Sequence, residues 1–122
     1  MSPRHIILAT TFICSLFEAL GGEELPQTIQ FNRDIRPILA NNCFSCHGQD
    51  SSRRKGKLRL DMKESAKAER KGVRAIVPGD LEESESWTRI ISKDPDELMP
   101  PADSNKALTP QEVEILKKWI EQ

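Results

Sequence analysis

Cys43-Phe44-Ser45-Cys46-His47 decides how the rest of this 122-residue chain is read. Two cysteines separated by two residues, with histidine directly after the second, have the spacing of a c-type haem attachment site. The chemistry requires that spacing. The two thiols add across the two vinyl groups of a porphyrin, and the imidazole then lies under the iron as proximal ligand. Two other readings of the pentapeptide are weaker. A structural zinc site takes four ligands, usually Cys and His. A redox-active dithiol sits at a strand-to-helix junction of a βαβ unit, and no such pattern flanks Cys43.

Upstream of the motif, residues 1–22 read as a removable export signal, with a retained membrane anchor as the alternative. Arg4 and His5 form a short polar start, an apolar run extends from Ile6 to Leu20, and Ala19, Gly21 and Gly22 supply small residues for cleavage. The run is too short for a comfortable membrane span. Cys14 lies inside it and leaves with it. Export places the chain in a periplasmic or equivalent compartment, where bacteria attach c-type haem. There an idle cysteine pair would be expected to form a disulfide.

Downstream of the signal, residues 23–30 read as an extended lead-in and residues 31–122 as one small domain. The domain is polar, poor in aromatics and without tyrosine. A domain this small needs a staple, and the sequence offers no disulfide set and no second metal motif. A covalent haem would supply a large apolar disc for the core to close on.

Hydrophobic spacing predicts an all-α domain of three to four short helices joined by long loops. The first runs over 31–41, with Asn32 or Asp34 as cap, Pro37 in the first turn and Phe31, Ile35, Ile38 and Leu39 on one face. It delivers the chain into Cys43. A polar loop carrying Arg53, Arg54 and Lys55 follows, then a short extended Leu58-Arg59-Leu60. Residues 62–71 read as a weak surface helix ending near Gly72, and Pro78-Gly79 as a turn. Ser84 or Ser86 can cap a helix whose Trp87, Ile90 and Ile91 share a face. Residues 93–106 form a loop with three prolines. The last helix has the strongest local signal. Thr109 is its N-cap, Pro110 its first residue, Glu112 completes a capping box, and Leu108 with Val113 can form a hydrophobic staple. Val113, Leu116 and Ile120 make one stripe, with Ile115 and Trp119 beside it. Loops this long argue that something besides helix packing holds the domain together.

A six-coordinate haem iron needs a second axial ligand. Once the signal is gone, His47 is the only histidine, so two histidines from one chain cannot share the iron. Met62 and Met99 are the remaining methionines. Met62 follows Asp61 on a polar segment and reads as a surface or gap-filling side chain. Met99 sits in the proline-rich loop, where each proline reduces the entropy lost when a weak thioether ligand is ordered. Met99 is therefore the stronger candidate. Arg59, Arg89 and Trp87 are candidate donors to the haem propionates, although each reads singly as a solvated arginine or a core tryptophan.

Charge is segregated although the net formal charge is only −1. Between Arg53 and Arg74 there are ten basic and three acidic residues; between Asp80 and Glu97, seven acidic and two basic. Such asymmetry can orient a redox partner protein or simply mark two solvated faces. It gives little support to nucleic-acid binding. Membrane association would depend on the N-terminal segment being retained.

The sequence resembles the small cytochrome c domain of planctomycete-type proteins, a relative of class I cytochromes c. The resemblance runs from Phe31 to Ile120. It is carried by Phe31 with Asp34-Ile35-Arg36-Pro37-Ile38-Leu39, Cys43-Phe44-Ser45-Cys46-His47-Gly48, Lys55-Gly56 and Leu58-Arg59-Leu60-Asp61. Ala75-Ile76-Val77-Pro78-Gly79, Arg89-Ile90, Met99-Pro100-Pro101, Leu116 and Trp119-Ile120 continue it in order. It implies a cytochrome c-like fold wrapped around one covalent haem c per chain, bound through Cys43 and Cys46, with His47 proximal and Met99 distal on the iron. It also implies that the first and last helices cross near the haem edge.

The function expected from this set is one-electron transfer with no catalytic residue, since two protein ligands leave no position open for substrate. His/Met ligation favours ferrous iron and raises the potential. Two alternatives follow from the same residues. Met99 could dissociate for a gas in a haem-based sensor or docking module. A peroxidase would need an open position and a distal acid–base group, for which Glu97 is the sole nearby carboxylate to consider.

Overall fold

The computed structural model describes residues 22–122. The expected export signal, Cys14 included, lies outside the described residues except for Gly22. Among the described residues, no helix is long and apolar enough to cross a membrane.

The helix expected over 31–41 is present, with an unexpected first turn. Residues Phe31–Ile35 form a π-helical turn that passes directly into α1 (Arg36–Asn42), with Pro37 in its first turn. Neither Asn32 nor Asp34 occupies the N-cap position; Gln30 does. Asp34 instead reaches back, its Oδ2 accepting the Gln30 N–H at 2.7 Å while Arg33 donates to both carboxylate oxygens. The Arg33 guanidinium first, and then the Gln30 N–H, hold the Asp34 carboxyl below the usual carboxylate range. Because the folded state favours the ionised form, this contribution is full above the unfolded value of about 3.9 and fades as pH falls through it and the folded value. Asp34→Asn should therefore lose less stability than the wild type on acidification from about pH 6 to about pH 3, measured by thermal unfolding.

The N-terminal lead-in is part of the packed structure. Ile29 is buried with Ile35, Ile38, Leu39 and Leu116. The Gln122 side-chain amide imitates a neighbouring strand: its Oε1 accepts the Ile29 N–H at 2.9 Å and its Nε2 donates to the Ile29 carbonyl at 2.8 Å. Lys118 Nζ donates to the Pro26 carbonyl. The lead-in is thus pinned to the end of the last helix.

Between the cysteine motif and the next helix the chain is loop. The surface helix expected over 62–71 is shorter, α2 (Lys63–Lys67). Its remainder departs from the all-α expectation. Strands β1 (Glu69–Arg70) and β2 (Val73–Arg74) pair antiparallel, Glu69 opposite Arg74 and Arg70 opposite Val73. The physical reason is the connection. The helix ends where Ala68 turns extended, and Lys71 and Gly72 then adopt φ of 54° and 85°, the two successive positive values of a tight hairpin turn, so the chain reverses. Arg70 also draws the chain back, its Nη1 donating to the Ser65 carbonyl at 2.6 Å.

Helix α3 (Glu85–Ile90) starts after Ser84, which holds the N-cap position without making a side-chain cap bond. Ser84 is fully buried. Its hydroxyl oxygen accepts the Val77 N–H at 2.9 Å and donates to the Asp80 carbonyl at 2.6 Å, closing the Pro78-Gly79 turn instead of capping the helix. Removing it strands two backbone groups away from water. Ser84→Ala should cost about 1–3 kcal/mol, seen as a lower denaturant midpoint at unchanged slope.

The last helix, α4 (Pro110–Glu121), bears out its local signals. The Thr109 N–H donates to Glu112 Oε2 at 2.8 Å and the Glu112 N–H donates to Thr109 Oγ1 at 3.1 Å, a complete capping box. Its buried stripe is Leu116 and Ile120. Leu116 joins the cluster under the first helix, which Cys43 and Phe44 also pack against; Ile120 joins a second cluster with Ala66, Ala75 and Ile76. Trp119 packs against both clusters, and its ring lies 5.8 Å from that of Phe31. The first and last helices therefore pack on each other, and Ala66 of α2 with Ala75 and Ile76 after the hairpin pack around Ile120 of α4.

Candidate functional site

Cys43 to His47 form a turn continuous with α1. The Cys43 and Phe44 N–H groups both reach the Leu39 carbonyl, at 2.7 and 3.0 Å, and the His47 N–H returns to the Cys43 carbonyl at 2.8 Å. The backbone then folds back so tightly that a Cβ on Gly48 would overlap the Phe44 carbonyl. Glycine is the residue that permits this approach.

Both thiols are free and half-buried. Burial, with smaller contributions from the neighbouring Cys46 and from Glu112, pushes the Cys43 thiol up to about 11, while Lys106 pulls the other way. Cys43 is therefore a neutral thiol at neutral pH, shielded from indiscriminate thiolate chemistry.

His47 is oriented by the loop that follows. Its Nδ1 lies 3.1 Å from the Lys55 carbonyl oxygen, an acceptor, so Nδ1 carries the hydrogen and Nε2 keeps the lone pair. Burial holds the imidazole below its ordinary pKa, with the bond to Lys55 working in the opposite sense. A neutral imidazole whose Nδ1–H is held by a backbone carbonyl is the form that ligates a metal through Nε2. The backbone around it is equally engaged. The Cys46 carbonyl accepts from the Lys55 N–H at 2.7 Å, and the His47 carbonyl from the Leu60 N–H at 2.8 Å.

Met99 stands in the expected proline-containing loop, whose Met99–Pro100 bond is cis. The loop is moored to α3: the Met99 N–H donates to the Arg89 carbonyl at 3.1 Å and Arg89 Nη1 lies 2.7 Å from Glu97 Oε2. Met99 lines a hollow of about 310 Å³ with Ile90, Leu98, Lys106, Leu108 and Val113, so both expected staple residues face it. Neither cysteine nor His47 lines that hollow, but its wall shares a cluster with Cys43. Ile90 and Leu108 pack on the cluster that Cys43 joins, and Lys106 Nζ donates to the Asn41 carbonyl at 2.6 Å. A larger hollow, about 500 Å³, lies elsewhere among Phe31, Leu60, Ile76 and Trp119 and contains none of the four expected ligand residues. Met62 is exposed beside α2.

The residues considered for propionate binding have these protein partners. Arg59 donates to both oxygens of Asp61, at 3.1 and 2.6 Å. Arg89 lies between Glu85 and Glu97. Trp87 packs against the second core cluster. Lys55 acts through its carbonyl and Lys106 through a distant backbone oxygen. Neither role has a sequence signal, because a backbone acceptor leaves no trace in residue type.

The donor set fits a covalently attached haem. Two free thiols are spaced for two vinyl groups, one imidazole presents Nε2, and one thioether waits in an ordered loop. The cysteines and the histidine do not converge on a single point: among the described residues no group of three or more His, Cys, Asp or Glu is placed to share a metal ion. A family model described as planctomycete cytochrome C matches residues 43–103, from the first cysteine through the Met99 loop. No curated protein and no solved structure matches.

Proposed function

Because this chain belongs to the planctomycete cytochrome C family, we propose that it is a one-electron carrier working outside the cytoplasmic membrane, with His47 and Met99 as the axial ligands of one haem c. When bound, the haem supplies an iron centre that exchanges single electrons. Cys43 and Cys46 would hold it through thioether bonds, formed by net addition of each thiol S–H across a vinyl group, which consumes no oxidant. His47 presents Nε2 and keeps its ring from rotating through the Nδ1–H bond to Lys55. Met99 supplies a soft sulfur that favours the ferrous state. The first and last helices, Ile90, Leu108 and the Met99 loop would supply the apolar surroundings of the group in a cytochrome c-like fold. Residues 1–22 serve export, residues 31–122 form the haem domain, and the physiological partners are redox proteins.

The observation that carries this reading is the Lys55-held His47 at the end of a free CxxC pair. The visible spectrum of the mature protein in both oxidation states tests it. The expected result is a low-spin spectrum with a weak far-red methionine–iron band, from haem that acidic organic solvent does not extract. A high-spin ferric spectrum or extractable haem would overturn the assignment.

A further inference from the structure

Among the three consecutive cations Arg53, Arg54 and Lys55, only Arg54 is half-buried while its neighbours are exposed. Its guanidinium makes two charge-assisted bonds to the backbone directly after the histidine. Nε donates to the Gly48 carbonyl at 3.0 Å and Nη2 to the Gln49 carbonyl at 2.9 Å. These complete a series. The carbonyls of Cys46, His47, Gly48 and Gln49 are taken in turn by the Lys55 N–H, the Leu60 N–H and the two Arg54 donors. The peptide after Arg54 contributes the Lys55 carbonyl that accepts the His47 Nδ1–H. The Arg54 side chain thus ties the strand leaving His47 to the same segment that holds the His47 ring.

We propose that Arg54 is the positioning residue for the axial imidazole: its two-pronged clamp on Gly48 and Gln49 sets the strength of the His47 Nδ1–H bond to Lys55, and through it the reduction potential. The proposal rests on His47 being the axial ligand. The physical link is short. An Nδ1–H bond raises the basicity of the ligating nitrogen and so stabilises the ferric state. Loosening the loop weakens that bond and moves the equilibrium toward ferrous iron. The geometry demands arginine, because the planar fork reaches two carbonyls at once, whereas lysine keeps the charge and offers a single point donor. Charge and clamp can therefore be separated by one substitution.

The test uses the haem-loaded protein. In Arg54→Lys, exchange of the His47 Nδ1 hydrogen with solvent, followed by NMR, should quicken about tenfold, and the one-electron equilibrium should shift three- to tenfold toward ferrous, tenfold being about 59 mV. Arg53→Lys is the control; the Arg53 side chain makes no hydrogen bond or ion pair among the described residues, and both readouts should stay at the wild-type value. Arg54→Gln, which can still donate to one carbonyl, is a second variant read by exchange alone, because it removes the charge; it should exchange faster than the wild type. Wild-type exchange rates in both Arg54 variants, or equal shifts in Arg53→Lys and Arg54→Lys, overturn the proposal. Failure of the underlying ligation would appear earlier and differently, as a wild-type His47 resonance unshifted by the haem.

Discussion

Changing Cys43 and Cys46 together to serine should leave a chain with no covalently bound haem and no cooperative unfolding transition. A hydroxyl is too weak a nucleophile to replace a thiol in addition to a vinyl group, so both attachments are lost. The structural consequence follows from how little the polypeptide buries by itself. The cluster under the first helix rests on Ile29, Ile35, Ile38, Leu39 and Leu116, and around it Cys43, Phe44, Ile90, Leu108 and Trp119 are only partly covered. A domain of this size has a small margin between burial and chain entropy. A covalent apolar group held at Cys43 would cover part of that half-buried surface and shorten the loops the unfolded chain can explore. Haem staining on a denaturing gel and a circular-dichroism melt read the two effects separately. Haem that stays with the double variant through acid extraction would refute the attachment.

The second large effect is expected from Met99→Ala. Its far-red band disappears, an exogenous ligand such as imidazole binds readily, and the reduction potential falls by on the order of 100 mV, a fraction of the roughly 0.8 V that axial ligands span. The protein should still fold and keep its haem, because the thioether bonds and His47 are untouched. The loop does not depend on the methionine for its shape: the Leu98 N–H donates to the Asp94 carbonyl at 2.9 Å, and Arg89 holds both Glu97 and the Met99 N–H. Such a loop presents the sulfur at little entropic cost. Met62→Ala, at an exposed position, retains the band and the potential. The reverse pattern, with Met62 required and Met99 dispensable, would move the second ligand to Met62 and overturn the Met99 assignment.

The features legible in sequence share one property: each is settled within a few residues. The CxxCH spacing is covalent geometry, and the Thr109 capping box is an exchange between residues three apart. The stripe of α4 shows through helical periodicity alone. Misreadings arose where a residue had more than one partner to choose from. Ser84 looks like a helix cap and holds the N-cap position, yet its hydroxyl bonds the Val77 N–H and the Asp80 carbonyl of the preceding turn and makes no cap bond. Residues 68–71 look helical by composition, yet the positive φ at Lys71 and Gly72 turns them into a hairpin. Arg59 and Arg89 are a different case: each reads singly as a surface arginine, and each is paired with carboxylates, at Asp61 and at Glu85 and Glu97.

From the sequence alone came the CxxCH motif at Cys43–His47, the cytochrome c family with its haem class of cofactor, and the two end helices. Tertiary structure decided how those parts are held. It selected the Lys55 carbonyl as acceptor for His47, set Arg54 on Gly48 and Gln49, moored the Met99 loop to Arg89, and used Gln122 to pin Ile29 across 93 residues of chain. The division has a physical cause. Bond spacing and helix caps are local and written in residue type. Backbone acceptors are chemically alike at every position, and only packing determines which of them a side chain meets.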